Sequence, residues 1–139
     1  MSLLLDPRLA ADTHPVGELR LSRLLLMDDA RFPWLILVPR IAGARELTDL
    51  DEGDRTALTD ELSGVGRALE TLLKPEKLNV AALGNIVTQL HVHVIARYST
   101  DAAWPQPVWG YGERVPYAAA AREALIERLR SALHTLMIR

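Results

Sequence analysis

Residues 88–97, Thr88-Gln89-Leu90-His91-Val92-His93-Val94-Ile95-Ala96-Arg97, constrain this chain more than any other stretch, because two of its four histidines stand one residue apart inside an apolar run. Apolar residues at alternate positions suit a strand, and side chains at i, i+2 and i+4 of a strand point the same way. The pattern therefore predicts a strand over 88–97 that sets Gln89, His91 and His93 on one exposed face and turns Leu90, Val92 and Val94 into a core. Two imidazoles and a carboxamide in a row pack poorly, since every ring nitrogen and amide group needs a hydrogen-bond partner or a ligand.

Three readings of that row stand open on the residues alone. In the first, two strand histidines are satisfied on a wet face. In the second, they share a cation; zinc would need a third and usually a fourth ligand, yet the chain has no Cys, and its other histidines, His14 and His134, lie far away in sequence. In the third, His91, central in the row, is a nucleophile toward phosphorus while His93 binds an anionic oxygen. An unperturbed imidazole titrates near ~6.5, so a neutral, attacking form is abundant at neutral pH.

The remainder of the chain narrows the partner. A length of 139 residues implies one domain, 1–139, with a real core. A net charge of −2 supplies no basic field for long nucleic acid, so any nucleotide partner is small. The lack of Cys removes disulfides, thiolate zinc sites and Cys nucleophiles, and it fits a reducing compartment. The apolar part of Met1–Pro7 is too short for a signal peptide and no later run reaches membrane length, so the expectation is a soluble, cytoplasmic protein without a membrane partner.

Read in order, Asp6 to Thr13 suits a short helix with Asp6 as N-cap and Pro7 at the first helical position, covering a sheet edge. His14-Pro15 ends it, leaving His14 in a solvated loop. Residues 18–27 begin with alternation and finish apolar, as one strand that forms a hairpin with Trp34–Val38 across the turn residues Asp28 to Pro33. Thr48–Glu52 offers a helix start, and the helix runs to about Leu73 with Leu58, Leu62, Val65, Leu69 and Leu72 on one stripe. Gly64 and Gly66 in its middle imply a close helix-to-sheet approach. Leu78 to Leu83 is a third strand, joined through Gly84-Asn85 to the histidine strand. Tyr98 to Tyr117, with Trp104, Trp109 and several prolines, is a stiff loop that either shapes a site or covers the sheet or a dimer seam. A final helix runs from Pro116 to about Met137 with Ala121, Leu125, Leu129, Ala132/Leu133 and Leu136 inward, and His134 suits its C-terminal dipole. The order is that of an α+β fold: a mainly antiparallel sheet of about five strands, one long central helix and a C-terminal helix.

Gln89-Leu90-His91-Val92-His93-Val94-Ile95 resembles the signature of the histidine triad (HIT) family, in which three His alternate with apolar residues; here the first His is Gln. Lys77-Leu78-Asn79-Val80, followed by Gly84-Asn85, is similar to the family's penultimate strand and turn. Trp34-Leu35-Ile36-Leu37-Val38-Pro39-Arg40 resembles its strand ending in Val/Ile-x-Pro-Lys/Arg, with Trp34 at the place of a fourth His. The likeness spans roughly residues 15 to 110 by motif order. It implies a HIT-like fold, generally a homodimer joining two sheets. It further implies that His91 is held as a nucleophile by the backbone carbonyl of Gln89, and that His93 donates to a non-bridging phosphate oxygen. Asp28 then holds a ribose, with Asn79 and Asn85 as neutral donors. The implied substrate is a nucleoside monophosphate linked through phosphoramidate, ester or anhydride, with no metal and no cofactor, and Gln89 enters as a variant member of the catalytic row. The rival is a nucleotide-binding regulatory protein with little catalysis. Gln89, Trp34 and Ile86, the last at the place of a phosphate-contacting hydroxyl, are the departures; a lost donor to developing charge costs ~100-fold or more in rate.

Overall fold

Each apolar run pairs its backbone groups with a neighbouring run, and among the described residues, 3–138, of the computed structural model this gives one five-stranded sheet. The strands are β1 (Thr13–Glu18), β2 (Ser22–Met27), β3 (Trp34–Pro39), β4 (Lys77–Ala81) and β5 (Val92–Arg97), in the order β1-β2-β3-β5-β4 with every pair antiparallel. The helices are α1 (Pro7–Asp12), α2 (Glu52–Leu73) and α3 (Ala119–Leu133), with a short 3-10 turn at Leu47–Asp49.

The connection through α2 carries the chain from β3 past one strand position to β4, and β5 then returns into the gap between them. A strand in that place has neighbours on both edges and layers on both faces, and all six residues of β5 are buried. On one face, Leu24, Leu26, Leu35, Leu37 and Val94 pack against Val65 and Leu69 of α2 and Ile126, Leu129 and Leu133 of α3. Burial of each such Leu or Ile contributes about 1.5–3 kcal/mol, so this layer is the main source of stability. On the other face, Leu25, Trp34, Ile36, Val38 and Ile95 lie beneath Leu3, Leu5 and Leu9 of the N-terminal segment and Ala103, Val108 and Trp109 of the loop after β5.

Several sequence expectations shift. The histidine strand is regular only over Val92–Arg97, and Thr88–His91 approach it as irregular chain, with Leu90 N–H bonded to Ala44 O at 3.0 Å. Residues 18–27 are not one strand: β1 begins at Thr13, and the chain turns between Glu18 and Ser22, so His14-Pro15 lies inside an edge strand rather than a loop. Pro15 is tolerated there because an edge has unpaired positions, and the register slips between Pro15 and Gly17. The third strand stops at Ala81. α1 is capped by Asp6, which accepts from Arg8 N–H at 2.8 Å, but its Leu9 joins the cluster on the histidine face rather than shielding an edge. α2 starts behind Asp51, whose carboxylate accepts from Asp54 N–H. Gly66 faces Leu78 of β4, 3.1 Å from where a Cβ would sit, whereas Gly64 faces Leu136 beyond α3 rather than the sheet. α3 is shorter than its pattern; it leaves Ala121 exposed, buries Ile126, and releases Met137 to bridge Leu19.

Candidate functional site

Register decides what surrounds the histidines. His93 pairs with Ile36 on β3 and with Ala81 on β4, and directly paired residues share a face. His91 and His93 therefore point to the side of Trp34, Ile36 and Val38, away from the helices, while Leu90, Val92 and Val94 take the helix side as the alternation predicts. The face is not open. His91 is 7% and His93 4% exposed, because Trp109 and the N-terminal segment close over it.

Two hydrogen bonds decide where each ring carries its proton. His91 Nδ1 lies 2.7 Å from Gln89 O; a carbonyl can only accept, so Nδ1 holds the hydrogen and Nε2 keeps a free lone pair. Trp34 Nε1, which can only donate, is 2.9 Å from His93 Nδ1. His93 therefore accepts on Nδ1 and carries its proton on Nε2. Burial, reinforced by His91 beside it, pushes the His93 pKa down to about 3, so this ring is a neutral donor at any physiological pH. The two rings are adjacent, with centroids 4.9 Å apart at 68°. One imidazole thus offers a lone pair and its neighbour an N–H, which is what attack at a phosphorus with capture of its oxygen requires.

Aromatic side chains enclose His93. Trp34 and Trp109 meet it edge-on at centroid distances of 5.6 and 5.2 Å, and Trp109 Nε1 is buried without a hydrogen-bond partner among the described residues. The loop that delivers Trp109 is pinned by a buried ion pair. Arg97, 2% exposed at the end of β5, donates to both carboxylate oxygens of Asp101, to Asn79 Oδ1 and to Gln106 O. Asp101 also accepts from the N–H groups of Tyr98, Ala103 and Trp104. Although burial favours the neutral acid, the Arg97 bond and these three N–H groups outweigh it and hold the Asp101 pKa at about 2. Sequence reading marked the Trp- and Pro-rich loop but not this anchor, since Arg97 and Asp101 look like ordinary surface charges until the strand end is buried.

The other predicted residues have different neighbours. The Gln89 carboxamide does not join the histidine row: its Oε1 accepts from Asp6 N–H at 2.8 Å and its Nε2 donates to Leu4 O at 3.0 Å. Only its backbone carbonyl serves His91. Asn79 is on the histidine face, opposite Ile95, but its side-chain oxygen is taken by Arg97. Asp28 accepts from Tyr117 N–H at 2.9 Å and lies 3.3 Å from His14 Nε2, which is buried beside it without a hydrogen bond rather than solvated. Asn85 is exposed. A cleft of about 340 Å³ beside the histidines is lined by Met27, Trp34, Trp109 and Tyr111 together with Arg31 and Arg114. A larger cavity, about 750 Å³, lies on the helix side by Glu61 and Leu136, on the opposite face of the sheet from the imidazoles. Among the described residues no group of three or more His, Cys, Asp and Glu side chains converges, and no helix is long and apolar enough to cross a membrane.

Comparison with known proteins agrees with this geometry. The family model described as HIT domain matches residues 8–100. A histidine triad protein from Bradyrhizobium japonicum is 48% identical over 95% of this chain and 98% of its own, with a TM-score of 0.92. One from Marinobacter aquaeolei VT8 is 45% identical over 98% and 99%, with a TM-score of 0.94. A third, from Sinorhizobium meliloti 1021, is 44% identical over 95% and 98%, with a TM-score of 0.92. No curated protein matches the chain significantly.

Proposed function

The chain belongs to the histidine triad family, and on that premise we propose that it is a nucleotide hydrolase or transferase acting at the α-phosphate of a nucleoside monophosphate conjugate, whether phosphoramidate, ester or anhydride. The observation that carries the reading is the pair of opposed tautomers: Nε2 of His91 bare because Nδ1 is bonded to Gln89 O, and Nε2 of His93 protonated because Nδ1 is bonded to Trp34.

In this reading His91 Nε2 attacks phosphorus as the bond to the leaving group breaks, and the leaving group departs with the electron pair. His93 Nε2–H donates to a non-bridging oxygen, neutral donor to anionic acceptor, and stabilises charge that grows in the transition state. The oxygen of water then attacks the nucleotidyl phosphorus, its proton passes to the solvent, the P–N bond breaks, and His91 regains its lone pair while the nucleoside monophosphate leaves. The unpartnered Trp109 Nε1 supports a second neutral donor at the same place. Asp28, Asn79 and Asn85 remain proposed nucleotide contacts; for Asp28 and Asn79, contact requires sharing or exchanging the partners they hold.

Labelled nucleotide should be trapped on His91 after rapid alkaline quench. His91→Ala should lower turnover by about 100-fold or more and leave nucleotide affinity within a few-fold, because a nucleophile acts mainly in the transition state. His93→Ala should weaken both. Equal slow turnover by wild type and His91→Ala over a broad panel of nucleotide conjugates would replace the enzyme with a nucleotide-binding regulatory protein. The proposed setting is cytoplasmic, and the proposed assembly is a homodimer through the free edge of β4, where Val80 is 52% exposed. Sedimentation equilibrium tests it: Val80→Lys should shift a dimer toward monomer.

A further inference from the structure

Gln89 holds the place of an imidazole and yet touches no imidazole with its side chain; what it does touch is the N-terminal strap. The strap, Leu3–Asp6, runs as irregular chain before α1 and lies on the histidine face with Leu3 and Leu5 against the cluster that contains Leu25, Ile36 and Val38. Gln89, which holds the strap, stands two residues before His91, so the strap meets the sheet at the end where the nucleophile sits. Among the described residues few polar bonds hold it. Arg23 Nη1 reaches Leu3 O at a long 3.5 Å, Leu4 is 90% exposed, and the short polar bonds to Leu3–Asp6 backbone from the rest of the face come from one carboxamide. A carboxamide offers a donor and an acceptor in one plane, so it satisfies Leu4 O and Asp6 N–H together as a strand's own peptide group would. A neutral imidazole also has one donor and one acceptor, but its two ring nitrogens point apart rather than side by side. The same residue supplies, through its backbone oxygen, the acceptor that sets the His91 tautomer.

We propose that Gln89 is a positioning residue that latches the Leu3–Asp6 strap across the histidine face, making the strap a wall beside His91 that limits the size of the group leaving from phosphorus. The size limit rests on the function proposed above; the latch itself does not. His91 is 7% exposed, and of the layers over its face the segment held by two short hydrogen bonds without regular structure opens at the lowest cost.

The test uses the full chain and reads opening without turnover. Hydrogen exchange of the Asp6 amide and carbethoxylation of His91 by diethyl pyrocarbonate, read by peptide mass spectrometry with exposed His134 as internal control, should both accelerate about tenfold in Gln89→Ala, the scale expected for losing two net hydrogen bonds. Gln89→Glu, which keeps the acceptor for Asp6 N–H but has no hydrogen for Leu4 O, should fall between. Leu5→Asp, which removes the strap's apolar anchor, should match Gln89→Ala, and the double variant should add little to either. Rates within twofold of wild type in Gln89→Ala, or fully additive effects in the double variant, would overturn the latch. The wall is then judged on nucleoside phosphoramidates with a small and a bulky amine: the bulky-to-small ratio of kcat/KM should rise about tenfold in both Gln89→Ala and Leu5→Asp in step with opening. An unchanged ratio with faster exchange overturns the wall and keeps the latch. Absence of turnover in every variant overturns the proposed function, while the exchange data still decide the latch.

Discussion

At the scale of single residues, the chemistry of this face is set by which atoms can donate. Trp34, having no acceptor, forces His93 into the Nε2–H tautomer that the proposed donation to a phosphate oxygen needs. Trp34→Phe keeps the ring but removes the donor, leaving His93 Nδ1 buried and unpaired. Nitrogen-15 NMR should then detect a mixed or reversed His93 tautomer, and kcat should fall about tenfold with substrate affinity changing less, since the donor matters most to charge developing at phosphorus. A wild-type spectrum in the variant would show that Trp34 packs against His93 without governing its proton.

At the scale of elements, the loop after β5 is an extension of the sheet rather than a free cover. Arg97 and Asp101, with side chains 2% and 5% exposed, join the strand end to the first turn of the loop, and Asn79 joins the same guanidinium to β4. Asp101→Ala leaves a buried arginine short of its counter-ion, and breaking such a pair from one side costs about 3–5 kcal/mol. Urea unfolding should report a loss of that size. Trp109 fluorescence and His91 protection should change with it, because the loop that carries Trp109 loses its anchor.

At the scale of the whole molecule, stability should fall on acidification in two windows. His93 has a folded pKa near 3 against about 6.5 when unfolded, so between these values the unfolded chain binds the extra proton and stability drops as pH falls, fully retained above pH 6.5. The slope should approach about 1.4 kcal/mol per pH unit within that window. Asp101, held at about 2 against a usual 3.8, is lost later, as pH falls from 3.8 through 2. Urea melts at pH 7, 5 and 4 should display the first slope in wild type and not in His93→Asn; equal slopes would assign the acid sensitivity elsewhere.

Much of the architecture was legible in local pattern. Period-two alternation separated His91 and His93 from Leu90, Val92 and Val94, the three- and four-residue spacing marked α2 almost to its ends, and turn residues marked the β2–β3 hairpin. These signals are local, because a strand or helix exposes its period to the chain itself. That His91 and His93 share one face was legible too, but the surroundings of that face were not. Alternation predicts that a polar face is wet, whereas tertiary structure laid the strap and the Trp109 loop over it and made both histidines interior. The edge strand at Thr13 was hidden by Pro15, since proline argues against a strand unless the unpaired edge is known. The destinations of Gln89, Asp28 and Asn79 depended on partners 83 to 85, 89 and 18 residues away, and which oxygen meets which N–H across such distances is decided by the packed fold rather than by neighbours in the chain.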